Sequence, residues 1–81
     1  MPHITIKHFP PALPDDSKQP LSDALTKLIV EHFGTYEGAV SISVQPVDPG
    51  AWQQDVFGPE ITGRADSLIK TPNYRPAGES A

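Results

Sequence analysis

Two stretches of the chain alternate between apolar and polar positions. In residues 3–8, His-Ile-Thr-Ile-Lys-His, Ile4 and Ile6 fall on one side beside Pro2, and His3, Thr5 and Lys7 fall on the other. That period of two predicts a strand with one apolar face. Ala39-Val-Ser-Ile-Ser-Val-Gln45 repeats the pattern with Val40, Ile42 and Val44 on one side, which predicts a second strand. Between them, Leu21, Ala24, Leu25, Leu28, Ile29 and His32 recur at helical spacing, and Gly34 follows Phe33 as a stop. An amphipathic helix of about four turns is the expectation. A proline fits a helix best in its first turn, so Pro20 places the expected N-cap at Asp16 or Ser17.

Strand, helix and strand in this order make a βαβ unit, whose right-handed crossover sets the two strands side by side and parallel. Downstream, Asp48-Pro49 reads as a cap and first helical position for a short turn carrying Trp52. Ile61, Ala65, Leu68 and Ile69 fall at i, i+4, i+7 and i+8, which predicts a short C-terminal helix between Pro59 and Lys70, ended by Pro72. The last residues, 75–81, have nothing to bury and are expected to form a flexible tail behind a single domain of residues 1–74.

Composition narrows the class. The chain has 81 residues, a length at which a monomer buries only about 60–65% of its unfolded surface. It contains no cysteine, so neither disulfides nor thiolate metal sites can reinforce it. Two strands and one long helix leave both sheet edges open and a core half closed. A twofold homodimer would join two such units into a four-stranded sheet with both helices on one face. Six Lys and Arg against ten Asp and Glu, a net charge of −4, argue against a nucleic-acid partner. No apolar run is long enough for a membrane span and the first twenty residues lack a secretory pattern, so a cytoplasmic location is expected. His3, His8 and His32 show no metal-ligand spacing.

The chemistry-bearing feature is the opening Met1-Pro2-His3. A Met-Pro start is common and by itself specific to nothing. Once Met1 is removed, however, Pro2 carries a secondary amine at the mouth of a strand. A terminal amine has a reference pKa of about 7.7–8.0, and an apolar pocket lowers it further, which makes it a proton acceptor near neutrality. Trp52, the single tryptophan, is a candidate pocket wall, and Lys7 is one of few cations able to grip a carboxylate. The glycines form no phosphate-binding fingerprint and no serine sits in a nucleophile elbow.

Pro2 ahead of a strand, followed by Ser41-Ile-Ser43, Trp52-Gln53, Glu60-Ile61 and Leu68-Ile-Lys70 before Pro72 and Tyr74, resembles the 4-oxalocrotonate tautomerase family over about residues 2–74. The resemblance implies an α/β (α+β) tautomerase fold and a cofactor-independent keto–enol tautomerase. It implies Pro2 as general base and acid on an enolpyruvate-type or 2-hydroxy-alkenoate acid such as phenylenolpyruvate. Dimeric bacterial members make a homodimer the expected assembly, ahead of a hexamer built as a trimer of dimers. Founding members place arginines in the loop after the first strand and early in the second, where this chain has about Pro11 and Ser41. A bound carboxylate would therefore fall to Lys7, Ser41, Ser43 or backbone amides, with Trp52 as the wall. The same departure supports an alternative, a weak or inactive tautomerase-like scaffold or small-ligand-binding module.

Overall fold

The computed structural model describes residues 1–74; the expected tail at 75–81 and Arg75 lie outside the described residues. Contacts within the chain group it into two units, Met1–Pro46 and the residues from Val47 onward.

The first unit is the βαβ unit. Strand β1 spans His3–His8, helix α1 spans Asp15–Phe33, a short 3₁₀ turn covers Glu37–Ala39, and strand β2 spans Ser41–Pro46. The strands pair in parallel from His3 opposite Ser41 to His8 opposite Pro46. Ile4 is thus level with Ile42 and Ile6 with Val44, and all four are half-buried. Lys18, Gln19, Leu21 and Ser22 of α1 line a groove of about 350 Å³ with Ile42 and Val44, which puts the helix on the apolar side of the sheet. The polar alternates, His3 and Thr5 on β1 with Ser41 and Ser43 on β2, are exposed. Ala39 belongs to the 3₁₀ turn, so β2 begins two residues later than the alternation suggests.

Helix α1 departs from the expected boundary at its start. Its N-cap is Pro14, and Asp15 and Asp16 occupy the first turn where negative charge suits the helix dipole. Pro20 lies inside the helix. There its absent N–H leaves the carbonyl four residues earlier, on Asp16, without its helical donor, and an exposed carbonyl can be satisfied by water. The expectation that Pro20 marks the first turn fails because proline here sits at an exposed position. The Lys18 ammonium donates to Asp15 Oδ1 at 2.9 Å, and that hydrogen bond and charge hold the Asp15 carboxyl below its ordinary value. The C-terminus follows expectation: Gly34 adopts the left-handed conformation, φ 62°, and its N–H bonds to the Val30 carbonyl at 3.1 Å.

In the second unit a 3₁₀ turn at Pro49–Ala51 leads into a wide helical segment, Gln53–Thr62, which we label α2. Its ladder is of the i→i−5 type, closed by Gly63 N–H to the Gly58 carbonyl at 2.7 Å. The short helix expected over Pro59–Lys70 is thus shifted upstream and interrupted. Pro59 falls within α2, and only Ala65–Ser67 forms a further 3₁₀ turn. A Cβ on Gly63 would stand 2.9 Å from the carbonyl oxygens of Gly58 and Pro59, so the tight closure of α2 depends on that glycine. Ile69 is fully exposed, which removes the stripe that the spacing of Leu68 and Ile69 suggested.

Burial is thin. Among the described residues the buried hydrophobic side chains are Ala39, Val47 and Val56, and no side chain is fully enclosed. Leu28, Phe33 and Tyr36, at and beyond the end of α1, are about half to two-thirds exposed, at 49%, 67% and 64%.

Candidate active site

Pro2 precedes β1, yet the sheet holds it. Its carbonyl accepts the Ser41 N–H at 3.2 Å, extending the parallel ladder one residue beyond His3. The ring is half-buried. Met1 in front of it is 92% exposed, and its sulfur accepts only a long contact from the Tyr36 hydroxyl at 4.0 Å. The chain end at Pro2 is thereby tied to β2.

Around that end the polar face of the sheet forms one connected hydrogen-bond set. His3 Nδ1 lies 2.7 Å from Ser41 Oγ, and His3 Nε2 lies 3.2 Å from Thr5 Oγ1. The Ser43 hydroxyl donates to Thr5 Oγ1 at 3.3 Å. The register explains the set, since His3 is level with Ser41 and Thr5 with Ser43. Ser41 is thereby level with the residue that follows Pro2, and Ser43 with Thr5, two residues further along β1. Lys7 shares the strand parity of His3 and is level with Gln45. Four residues of strand put it about 13 Å further along β1, near the opposite end of the sheet.

Trp52 lies in the second unit. Its Nε1–H donates to the Tyr74 hydroxyl at 2.9 Å, and the Tyr74 ring meets Phe57 edge-on with centroids 5.6 Å apart. The three rings form an aromatic cluster in which the indole is half-buried and its polar edge is satisfied. Arg64 pairs with Glu60 across 3.4 Å, both being partly exposed. Pro11 is exposed and uncharged. Among the described residues no three acidic, histidine or cysteine side chains converge to hold a metal. No helix among them is long and apolar enough to cross a membrane.

Three contributors, His3, Thr5 and Tyr74, are absent from the expected set. His3 and Thr5 join Ser41 and Ser43 only once the parallel register is known; the alternation places them on the polar face but does not pair them across the strands. Tyr74 as the partner of Trp52 carries no signal beyond its aromatic character, because 22 positions separate the two.

Comparison with known proteins identifies the family. Residues 2–59 match the model of the family described as Tautomerase enzyme. A protein named Tautomerase PptA from Cronobacter sakazakii is 40% identical over 74 residues, which is 91% of this chain and 97% of that protein. One of the same name from Klebsiella pneumoniae is also 40% identical over the same shares of each chain. A third, from Pectobacterium carotovorum, is 34% identical with equal coverage. With the matched segment beginning at Pro2 and running through the whole βαβ unit, this chain belongs to the tautomerase family of enzymes.

Proposed function

We propose that the protein is a keto–enol tautomerase for monocarboxylate enols of the phenylenolpyruvate type, with Pro2 as its base once Met1 is removed. The observation that carries this reading is the Ser41 N–H to Pro2 carbonyl bond, which ties the amino-terminal proline to the sheet instead of leaving it on a frayed end. A terminal residue held in this way keeps its nitrogen in one place relative to a bound substrate, and positioning is a large part of proton-transfer catalysis.

The steps balance without a cofactor or covalent intermediate. The neutral Pro2 amine accepts the enol hydroxyl proton, the electrons of that O–H bond form the ketone, and the double-bond electrons take a proton at the adjacent carbon. The proton delivered there is the one held on the Pro2 ammonium, so the amine ends neutral. Pro11 and Ser41 supply no positive charge where founding members carry arginine, which favours a substrate with one carboxylate over a dicarboxylate.

The active form is a homodimer. Its support is the thin burial among the described residues, the exposed Leu28, Phe33 and Tyr36, and the two-stranded sheet that those residues form. One experiment tests both statements: phenylenolpyruvate ketonisation is assayed across a size-exclusion profile of protein whose intact mass lacks Met1. Saturable turnover that elutes with the dimer is expected. Absence of turnover in every fraction contradicts the activity and leaves a ligand-binding scaffold, and turnover confined to monomer contradicts the assembly.

A further inference from the structure

The bond from the Ser41 N–H to the Pro2 carbonyl also orients the next amide. In a trans peptide the carbonyl and the N–H point in opposite directions, and the Pro2–His3 bond is trans. With the Pro2 carbonyl turned to β2, the His3 N–H is turned to the other edge of β1, which the sheet formed by the described residues leaves open. That N–H therefore takes no part in the β1–β2 ladder. The His3 imidazole is exposed, and its Nδ1 is 2.7 Å from Ser41 Oγ. Removal of Met1 adds a third nitrogen, the Pro2 amine, to the same dipeptide. A metal bound to the Pro2 nitrogen and the His3 amide nitrogen closes a five-membered ring, and His3 Nδ1 closes a six-membered ring beside it. Rotation about the Pro2 Cα–C bond and the His3 Cα–Cβ bond brings the three nitrogens into one plane, and in the trimmed chain neither rotation moves the Pro2 carbonyl off Ser41. A planar nitrogen set suits Cu(II), which also stands highest in affinity among the divalent first-row metals.

We propose that the chain without Met1 carries a Cu(II) site made of the Pro2 amine, the His3 amide nitrogen and His3 Nδ1. The inference goes beyond the tautomerase reading and shares with it only the removal of Met1. The step balances without redox chemistry: the ion displaces the His3 amide proton to water, takes three nitrogens as ligands at constant oxidation state, and keeps water or an added anion at its fourth planar position. Only one ligand is a side chain, so the spacing of histidines and carboxylates along the sequence gives no sign of it. The other histidines offer no equivalent. His8 Nδ1 bonds to the Phe9 carbonyl at 2.7 Å and its Nε2 is buried, and His32 is a single exposed imidazole on α1. With Met1 in place the site is lost twice over: the Pro2 nitrogen is then a tertiary amide, and its missing N–H breaks any run of amide nitrogens from the Met1 amine to His3. Bound copper occupies the lone pair that a proton would take, so with Pro2 as base the metal-bound protein is a reversibly silenced enzyme.

The test titrates copper sulfate, with glycine as a competing ligand, into protein whose intact mass lacks Met1, and follows visible absorption and electron paramagnetic resonance. One Cu(II) per chain with a tetragonal signal split by three nitrogens is expected. His3→Ala should weaken binding at least about a hundredfold, the upper range for loss of a group that merely supports a ligand. Ser41→Ala, which releases His3 Nδ1 from its hydrogen bond, should bind copper no more weakly than the wild type. Protein with an uncleavable extension ahead of Pro2 keeps every side chain and should lose the three-nitrogen signal, which carries the comparison if His3→Ala fails to fold. A signal with fewer than three nitrogens, binding unchanged in His3→Ala, or binding unchanged behind the extension would each overturn the proposal. Enol turnover measured on the same samples separates this site from the Pro2 base reading. Turnover that falls with copper occupancy and returns with a chelator supports both, whereas the three-nitrogen signal beside undiminished turnover supports the copper site and contradicts Pro2 as the base.

Discussion

Replacing Pro2 with alanine cuts phenylenolpyruvate ketonisation by at least about tenfold, with the larger part of the loss in kcat. The replacement leaves a terminal amine, so the effect is not simply the deletion of a base. A primary amine lacks the ring that ties the nitrogen back to the side chain, and it rotates where the pyrrolidine nitrogen has a set lone-pair direction. The Ser41 N–H can still bond to the carbonyl of residue 2, so the sheet survives and the change is felt at the nitrogen. Stopped-flow absorbance of the enol as it decays gives both constants. Since the base is in contact with the reacting atoms, kcat falls more than KM rises. A variant with wild-type kcat would show that the proton is carried by another group.

Leaving any residue in front of Pro2 has a still larger effect. With Met1 attached, the Pro2 nitrogen is a tertiary amide whose lone pair is delocalised into the carbonyl, so it carries no proton to exchange and is not a base at any pH the fold survives. Met1 itself is exposed. Protein produced with a short uncleavable extension ahead of Pro2 should therefore fold, assemble and bind keto acid, and yet ketonise the enol at least about a hundredfold more slowly. Intact-mass measurement on each sample ties rate to terminus. The pairing of retained binding with lost turnover separates a blocked base from a misfolded site.

Much of this site can be read from local patterns, and the unread part has identifiable causes. Ile4 and Ile6 alternating against His3 and Thr5, then Val40, Ile42 and Val44 across a helix, suffice for a βαβ unit with parallel neighbours, and the strands pair in that way. Gly34 marks the end of α1 because only glycine enters the left-handed region without cost. The start of α1 is less legible: Pro20 carries two readings, first turn or exposed interior, and the Asp15 and Asp16 charges ahead of it fit the longer helix as well as a cap. The segment after Trp52 is less legible still. Pro59 resembles a helix start, but the wide i→i−5 turns of α2 accommodate it inside the helix, and Gly63 closes those turns through a carbonyl contact no spacing rule encodes. Within the site, Pro2 stands out from the sequence because its chemistry follows from its position. The joining of His3, Thr5, Ser41 and Ser43 depends on register, a relation between residues 38 apart. Lys7 satisfies the charge argument for a carboxylate partner and yet falls near the other end of β1, where distance along the strand outweighs residue type.

In the proposed mechanism the Pro2 nitrogen is the group whose loss of a proton switches the enzyme on. The most direct test sets two curves beside each other: the pH dependence of kcat/KM for phenylenolpyruvate, and the titration of the Pro2 nitrogen followed by NMR in protein labelled with ¹⁵N-proline and free of Met1. The rate should rise with pH through a single ionisation whose midpoint coincides with that of the Pro2 nitrogen, at or below the ordinary range of about 7.7–8.0 for a terminal amine. A Pro2 nitrogen that titrates well above the midpoint of the rate profile, and so remains protonated while the enzyme is fully active, would contradict it.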